Sequence, residues 1–401
     1  MSRRLHDFVE SFQQYCTTYN TTPMFATYAA VWMLGTSVGR AVAMRARGNT
    51  LCPNFFIEMV AGPGSGKSQA VNATRSIMIP ATKMGMIPAS VTRAGLEDYM
   101  SGNLQQRKSP DGSILLSHEC IGLSEEMQGI LPDQDLGHLT LYNLLYDLPS
   151  IHKAVTRSHG EIKLDNPYCS ILTGAQPAFL ATTMPEQAWG MGFMSRSILV
   201  FDTPRERKSA FEHEDVDFKL QADLIHDLKD VFSIHGWMKW TDEAKGLYQE
   251  WWVEHGGLPV PTAKRLAMGY NSRRELHMLK LAMVMSLSQS SDLIVELHHV
   301  ARAIQLLLET EARMRHIFAE MANTGAMVAI EEAIDMVRTK VAAGGTLDEG
   351  TLIEFLMQRF PATQVHAIIE NMLTADTISV AGGLNAKGFR KFGMGKRIAV
   401  L

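Results

Sequence analysis

The octapeptide Ala61-Gly62-Pro63-Gly64-Ser65-Gly66-Lys67-Ser68 constrains this chain more than any other stretch. An apolar run rich in strand formers, Phe55 to Val60, precedes it, and Gln69 to Arg75, which suits a helix, follows. Strand, glycine loop and helix in that order are the context of a phosphate-binding loop. Gly62, Gly64 and Gly66 permit backbone angles that other residues resist. Successive N–H groups can then turn inward as an anion-binding nest, and the helix adds its positive dipole end. In such a loop Lys67 reaches the β- and γ-phosphates and Ser68 offers a hydroxyl to Mg²⁺. Pro63, Ser65 and Gln69 complete the expected contact set, with ATP and Mg²⁺ as ligands. Ala61 stands where the pattern usually has its first glycine.

A chain of 401 residues has room for about two or three domains with real cores. Charged residues make up 20% and hydrophobic ones 46%, the balance of a globular protein. The formal net charge is −4, so contact with nucleic acid must come from local basic patches. Cys16, Cys52, Cys120 and Cys169 show no CxxC spacing, which argues against a zinc site or disulfide framework and suits a reducing cytoplasm. No apolar run follows Met1 to Asp7, so no signal peptide is predicted. Met24 to Met44 is nearly uncharged, but Thr27, Thr36, Ser37 and Arg40 favour a buried helix over a membrane span.

Four segments follow. Residues 1–50 read as an N-terminal helical segment, a lid with Leu5, Phe8, Val9 and Phe12 at helical spacing. Residues 51–205 alternate strand and helix, predicting an α/β core with a mostly parallel sheet. Within it, the apolar run Cys120 to Leu123 ends in Ser124-Glu125-Glu126, the pattern of a Walker B element. Glu125 is assigned to the Mg²⁺ side and Glu126 to the attacking water, with Glu119 as the competing carboxylate. Residues 150–165 predict a hairpin around Ser158-His159-Gly160. Lys153, Arg157, His159 and Lys163 either touch the phosphates of single-stranded DNA or are ordinary solvated charges. The strand Tyr168 to Leu172 ends in Thr173-Gly174-Ala175-Gln176, where Thr173 and Gln176 are both candidates to sense the γ-phosphate. Arg196 follows a glycine-marked loop and precedes the strand Ser197 to Phe201. It suits an arginine finger lent to a neighbouring subunit, or an intrachain ion pair.

Residues 206–322 read as a helical domain, in which Ala244, Leu247, Tyr248, Trp251 and Trp252 form a core-type stripe. Arg273, Arg274 and Lys280 are candidates for a second phosphate sensor or for structural pairs. Residues 323–401 predict a winged helix: helices Val328 to Val341, Asp348 to Arg359 and Thr363 to Ala375, and strands Thr377 to Val380 and Arg397 to Leu401. Lys387, Arg390, Lys391, Lys396 and Arg397 give it a basic end that suits DNA or a protein partner.

With these residues placed, the chain resembles the P-loop ATPases of phages and mobile elements grouped with primase–helicase proteins. The likeness runs from about Met24 to Met314. It rests on the apolar helix before the glycine loop and on Leu123 to Met127. It rests further on Asn166-Pro167, on Thr173 to Pro177, on Gly192 to Arg196 and on His277 to Ala282. The motif order is also similar to that of superfamily 3 helicases and the wider AAA+ and RecA-like group. The resemblance implies a ring-forming, hexameric DNA helicase driven by Mg²⁺-ATP in a viral replication system, in the host cytoplasm, beside a primase or polymerase. A helicase loader, a replication initiator without unwinding activity, and a non-motor P-loop switch are the alternatives.

Overall fold

The computed structural model describes residues 3–46, 48–131, 135–156, 160–182, 192–203, 216–256, 264–360, 362–385 and 388–395. The chain divides into two compact units, residues 1–318 and 319–401. The first opens with α1 (Phe8–Tyr15), whose Phe8, Val9, Phe12 and Tyr15 point inward and whose first turn is capped by the Asp7 carboxylate. Thr22 caps α2 (Pro23–Val38), Pro23 starts it, and every residue from Met24 to Val38 is buried. Among the described residues no helix is long and apolar enough to cross a membrane.

Helix α2 ends sooner than its apolar run suggests. Gly39 turns into a positive φ of 55°, and the Arg40 guanidinium donates to the carbonyls of Pro149 and Pro167, both at 3.1 Å. The next residues form a strand, β1 (Val42–Ala46), antiparallel to β2 (Asn49–Leu51). The all-helical reading of residues 1–50 is corrected there. Helix α2 packs on the elements that carry the glycine loop, as the reading of a segment set against that fold expects.

The central sheet is built from β3 (Phe56–Val60), β4 (Gly85–Met86), β5 (Leu104–Lys108) and β6 (Ile114–Ser124), then β9 (Tyr168–Ala175) and β10 (Ser197–Phe201). Its order is β10-β3-β9-β6-β4, parallel throughout, with β5 antiparallel against the first half of β6. Strands β3, β9 and β10 are buried along their whole length, as parallel strands covered on both faces require. Helices α3 (Lys67–Ala81), α4 (Arg93–Ser101) and α5 (Leu136–Tyr146) connect them. Strands β7 (Ile151–Thr156) and β8 (Gly160–Asp165) make the expected hairpin. Helix α6 (Pro177–Thr182) follows β9, and the short turn α7 (Phe193–Arg196) leads into β10.

The rest of this unit is less uniformly helical than its sequence suggests. Between α8 (Phe218–Ser233) and α9 (Asp242–Trp251) lie β11 (Gly236–Trp237) and β12 (Lys239–Trp240). Strand β11 pairs with β1, and β12 with β13 (Ile294–Val295), which follows α10 (Lys264–Gln289). Helix α11 (Leu297–Ala342) contributes residues to both units.

In the second unit β14 (Leu347–Asp348), α12 (Glu349–Met357), α13 (Ala362–Thr374), β15 (Ile378–Val380) and β16 (Lys391–Met394) follow. The strands form an antiparallel sheet in the order β14-β16-β15 over a core that includes Leu352, Leu356, Ile369 and Phe392. The second and third expected helices fall where the periodicity puts them, whereas the first, Val328 to Val341, is the end of the long α11. The strand that returns against β15 is Lys391–Met394, whereas the expected strand at 397–401 lies outside the described residues.

Candidate functional site

The glycine loop leaves β3 at the carboxyl edge of the sheet and enters α3 through Gly66, whose φ is 85°. A Cβ there would lie 2.2 Å from the Asn20 carbonyl oxygen and 2.6 Å from the Thr21 Cα, so both the backbone angle and the close approach demand glycine. The Lys67 ammonium lies over the loop, donating to the carbonyls of Ala61 (2.6 Å) and Gly62 (2.8 Å) and to the Ser65 hydroxyl (3.1 Å). Pro63, Gly64, Ser65, Gly66, Lys67, Ser68 and Gln69 all border one cavity of about 640 Å³.

Glu125 and Glu126 border the same cavity from the end of β6, and Gln176 borders it from the end of β9. Strand β9 lies between β3 and β6, which is how its end reaches both neighbours. The fit is close: a Cβ on Gly174 would stand 2.4 Å from the Glu125 carbonyl oxygen and 3.3 Å from the Lys67 Cβ. The Ser124 hydroxyl donates to the Glu126 carbonyl at 2.7 Å and orders the turn after β6. Glu125 sits 3.7 Å from Arg75, two turns along α3 from Lys67. Glu119 takes no part. It is fully buried in β6 and paired with Arg107 at 3.4 Å, and burial pushes its carboxyl above the usual range.

Thr173 is also absent from the cavity wall. Its register partner on β3 is Glu58, and the Thr173 hydroxyl donates to the Glu58 carboxylate inside the sheet. Glu58 is wholly buried, and burial pushes its carboxyl up to about 7. Of the two strand-end candidates, only Gln176 is therefore placed to meet a ligand. Sequence reasoning missed Asn20, which borders the cavity from the α1–α2 connection. The only local signal was the polar run Asn20-Thr21-Thr22 before Pro23.

No family model matches this chain, and no curated protein does.

Arg196 lies at the opposite, amino edge of the sheet. The next residue, Ser197, is registered with Phe56, the first residue of β3, whereas the glycine loop leaves from Val60. Five residues of strand separate the two edges, roughly 13 Å at about 3.3 Å per residue. Arg196 makes a two-pronged pair with Asp147 (Nε–Oδ1 3.2 Å, Nη2–Oδ2 2.5 Å), and Arg273 reaches the same carboxylate at 3.1 Å. Burial pushes the Asp147 carboxyl up, but the two guanidiniums more than offset it and hold it below the usual range. Nearby, Lys280 is buried and donates to the carbonyl and side-chain oxygens of Asn54, both at 2.8 Å. Its ammonium lies 3.9 Å from the centre of the Tyr146 ring. Burial brings Lys280 down to about 7 and the neighbouring His277 down to about 3. Arg274 is held by Glu311 through two bonds of 2.7 Å. None of Arg273, Arg274 and Lys280 borders the glycine-loop cavity of its own chain, and of the two readings the structure shows the structural pairs.

On the hairpin, Lys153 and Lys163 face each other across the two strands. Each has its own counter-ion, Lys153 with Glu161 at 3.1 Å and Lys163 with Asp165 at 2.7 Å. Arg157 and His159 lie outside the described residues. In the second unit Arg390 is engaged by Glu349 at 2.7 Å and Glu370 at 2.8 Å, which offset its positive charge. Lys387, Lys396 and Arg397 lie outside the described residues.

Proposed function

We propose that residues 51–205 are a P-loop ATPase core and that the chain is a ring-forming, ATP-driven DNA helicase or translocase of a phage-type replication system. The observation that carries this is the convergence of Lys67 and Ser68 from the glycine loop, Glu125 and Glu126 from β6, and Gln176 from β9 on one cavity. Its volume of about 640 Å³ suits a nucleotide. Backbone N–H groups of residues 64–66 and the amino end of α3 supply the anion-binding surface. Lys67 exchanges one of its loop carbonyls for phosphate oxygen.

Among the described residues no group of three or more His, Cys, Asp or Glu side chains is placed to hold a metal. That fits Mg²⁺, which takes one or two protein ligands and fills its shell with phosphate and water. Ser68 and Glu125 would hold it, and it would neutralise phosphate charge. Glu126, exposed at the cavity edge, accepts the proton of the attacking water, and Gln176 orients that water. Arg196 cannot serve its own cavity from the far edge of the sheet, so it completes the site only from a second copy of the chain, in a head-to-tail ring. The second unit, helices with a small antiparallel sheet whose first strand precedes α12, is the proposed winged helix.

The test is hydrolysis and binding measured together. Lys67→Ala should lose nucleotide binding, and Glu126→Gln should bind ATP yet release no phosphate. Normal turnover in Glu126→Gln would overturn the assignment. A second reading, a helicase loader or initiator, is favoured by one observation: the described basic residues of the hairpin are already paired with its own carboxylates. Unwinding of a forked substrate separates the two.

A further inference from the structure

A second cavity, of about 770 Å³, lies in the first unit between β1, the β11–β12 segment and helices α9 and α10. It shares no bordering residue with the glycine-loop cavity, and it carries a different chemistry. Three of the six tryptophans in the chain, Trp237, Trp240 and Trp252, line it together with Tyr248. All four are only partly buried. The aromatic stripe of α9 thus splits: Trp251 enters the core, whereas Trp252 turns to the cleft.

The polar groups are few and placed at two depths. Glu275, 9% exposed, lines the cleft and accepts a hydrogen bond from the Tyr248 hydroxyl. At the solvent edge stand two exposed cations, Lys245, which is paired with Asp242 at 2.8 Å, and Arg45, with its guanidinium 4.1 Å from the centre of the Trp237 ring. Aromatic faces, a deep carboxylate and a cationic rim match the three parts of a nucleotide. Flat bases stack on aromatic rings whatever their sequence. A carboxylate accepts several hydrogen bonds at once and selects bases that donate along their pairing edge. Guanine presents two adjacent N–H donors there; uracil and thymine present one. Phosphate then lies near Arg45 and Lys245. An ammonium ligand would find the aromatic faces but meet the Arg45 guanidinium, a like charge, at the rim.

We propose that this cleft is a second nucleotide site, which stacks a guanine-bearing nucleotide on its tryptophans and reads the base through Glu275. The nucleotide is either free or one unit of a single strand. The proposal does not rest on the ATPase reading.

The test is a titration of intrinsic tryptophan fluorescence in the full chain carrying Lys67→Ala, which removes the first site. The probes are guanosine monophosphate, uridine monophosphate, guanosine, and short guanine-containing and all-thymine single strands. Guanosine monophosphate should quench saturably and bind about tenfold or more tighter than uridine monophosphate. Glu275→Gln should remove that preference, and Arg45→Ser with Lys245→Ser should weaken the nucleotide but not the nucleoside. Circular dichroism establishes that each variant folds; if Glu275→Gln does not, the rim pair, on exposed residues, carries the test. A guanine strand that binds about tenfold or more tighter than the mononucleotide identifies a strand as the source, and equal affinities identify the free nucleotide. Equal quenching by guanine and uracil probes, none at all, or a preference untouched by both the Glu275 and the rim variants would overturn the proposal.

Discussion

At the carboxyl edge of the central sheet, Lys67, Ser68, Glu126 and Gln176 face a cavity; at the amino edge, Asp147, Arg196 and Arg273 face one another. The residue types are alike, but their partners differ. At the first edge the strands end in turns that present backbone donors and solvent-facing side chains. At the second, each cation already has an acceptor from its own chain, and Lys280 has Asn54. A group at the carboxyl edge already borders the cavity, and Lys67 need only trade a loop carbonyl for a ligand oxygen. A group at the amino edge must first give up a partner, and the exchange is balanced only for another anionic acceptor. For Arg196, a carboxylate traded for a phosphate oxygen is such an exchange.

The largest expected effect breaks this comparison at Arg196. If Arg196 works on the nucleotide of another copy, Arg196→Ala lowers hydrolysis by about 10³-fold or more while ATP binding and assembly persist. A fall in thermal stability with unchanged turnover per folded molecule would leave it a structural pair only. Next in size is Glu126→Gln, with a loss of about 10²-fold or more in phosphate release at unchanged nucleotide affinity, measured by stopped-flow phosphate detection and equilibrium binding. Smaller is Asp147→Asn, which removes the charge that holds Arg196 and Arg273. It should raise hydrolysis severalfold at a given protein concentration, and a loss of hydrolysis would make Asp147 part of the working geometry.

The smallest effect concerns Glu58, in the strand that joins the two edges. Burial raises its carboxyl to about 7, against 4.5 for the unfolded chain. Between those values the folded chain keeps a proton that the unfolded chain has released. Its contribution to stability is therefore complete below about 4.5 and is lost as pH rises through about 7. Glu58→Gln should flatten the fall of the melting temperature between about pH 5 and 8 and raise it at the upper end. An unchanged profile would mean that Glu58 does not titrate there.

How much of this was legible in the sequence follows the range of the interactions involved. The glycine loop was, because its backbone angles depend on residues next to one another. So was the strand before Glu125, a continuous apolar run. The choice between Thr173 and Gln176 was not, because side chains alternate across a strand and register with Glu58 decides which face Thr173 takes. Asp147 was not, since nothing near it in sequence announces a partner 49 residues on. The strands β11, β12 and β13 are two residues each, too short to show a period, and they exist because β1 and one another complete them. Helix α2 ended early because the Gly39 turn and the carbonyls awaiting Arg40 outweighed a continuing apolar run.

The most direct measurement mixes two inactive proteins. Lys67→Ala keeps Arg196 but lacks the phosphate-binding lysine, and Arg196→Ala keeps the cavity but lacks the lent guanidinium. Combined under assembly conditions with Mg²⁺-ATP, the pair should recover a substantial part of wild-type hydrolysis, since some interfaces then hold one intact half from each. If the mixture stays as inactive as its components while co-assembly is demonstrated, the cavity is not completed from a second copy and the account of a shared site is contradicted.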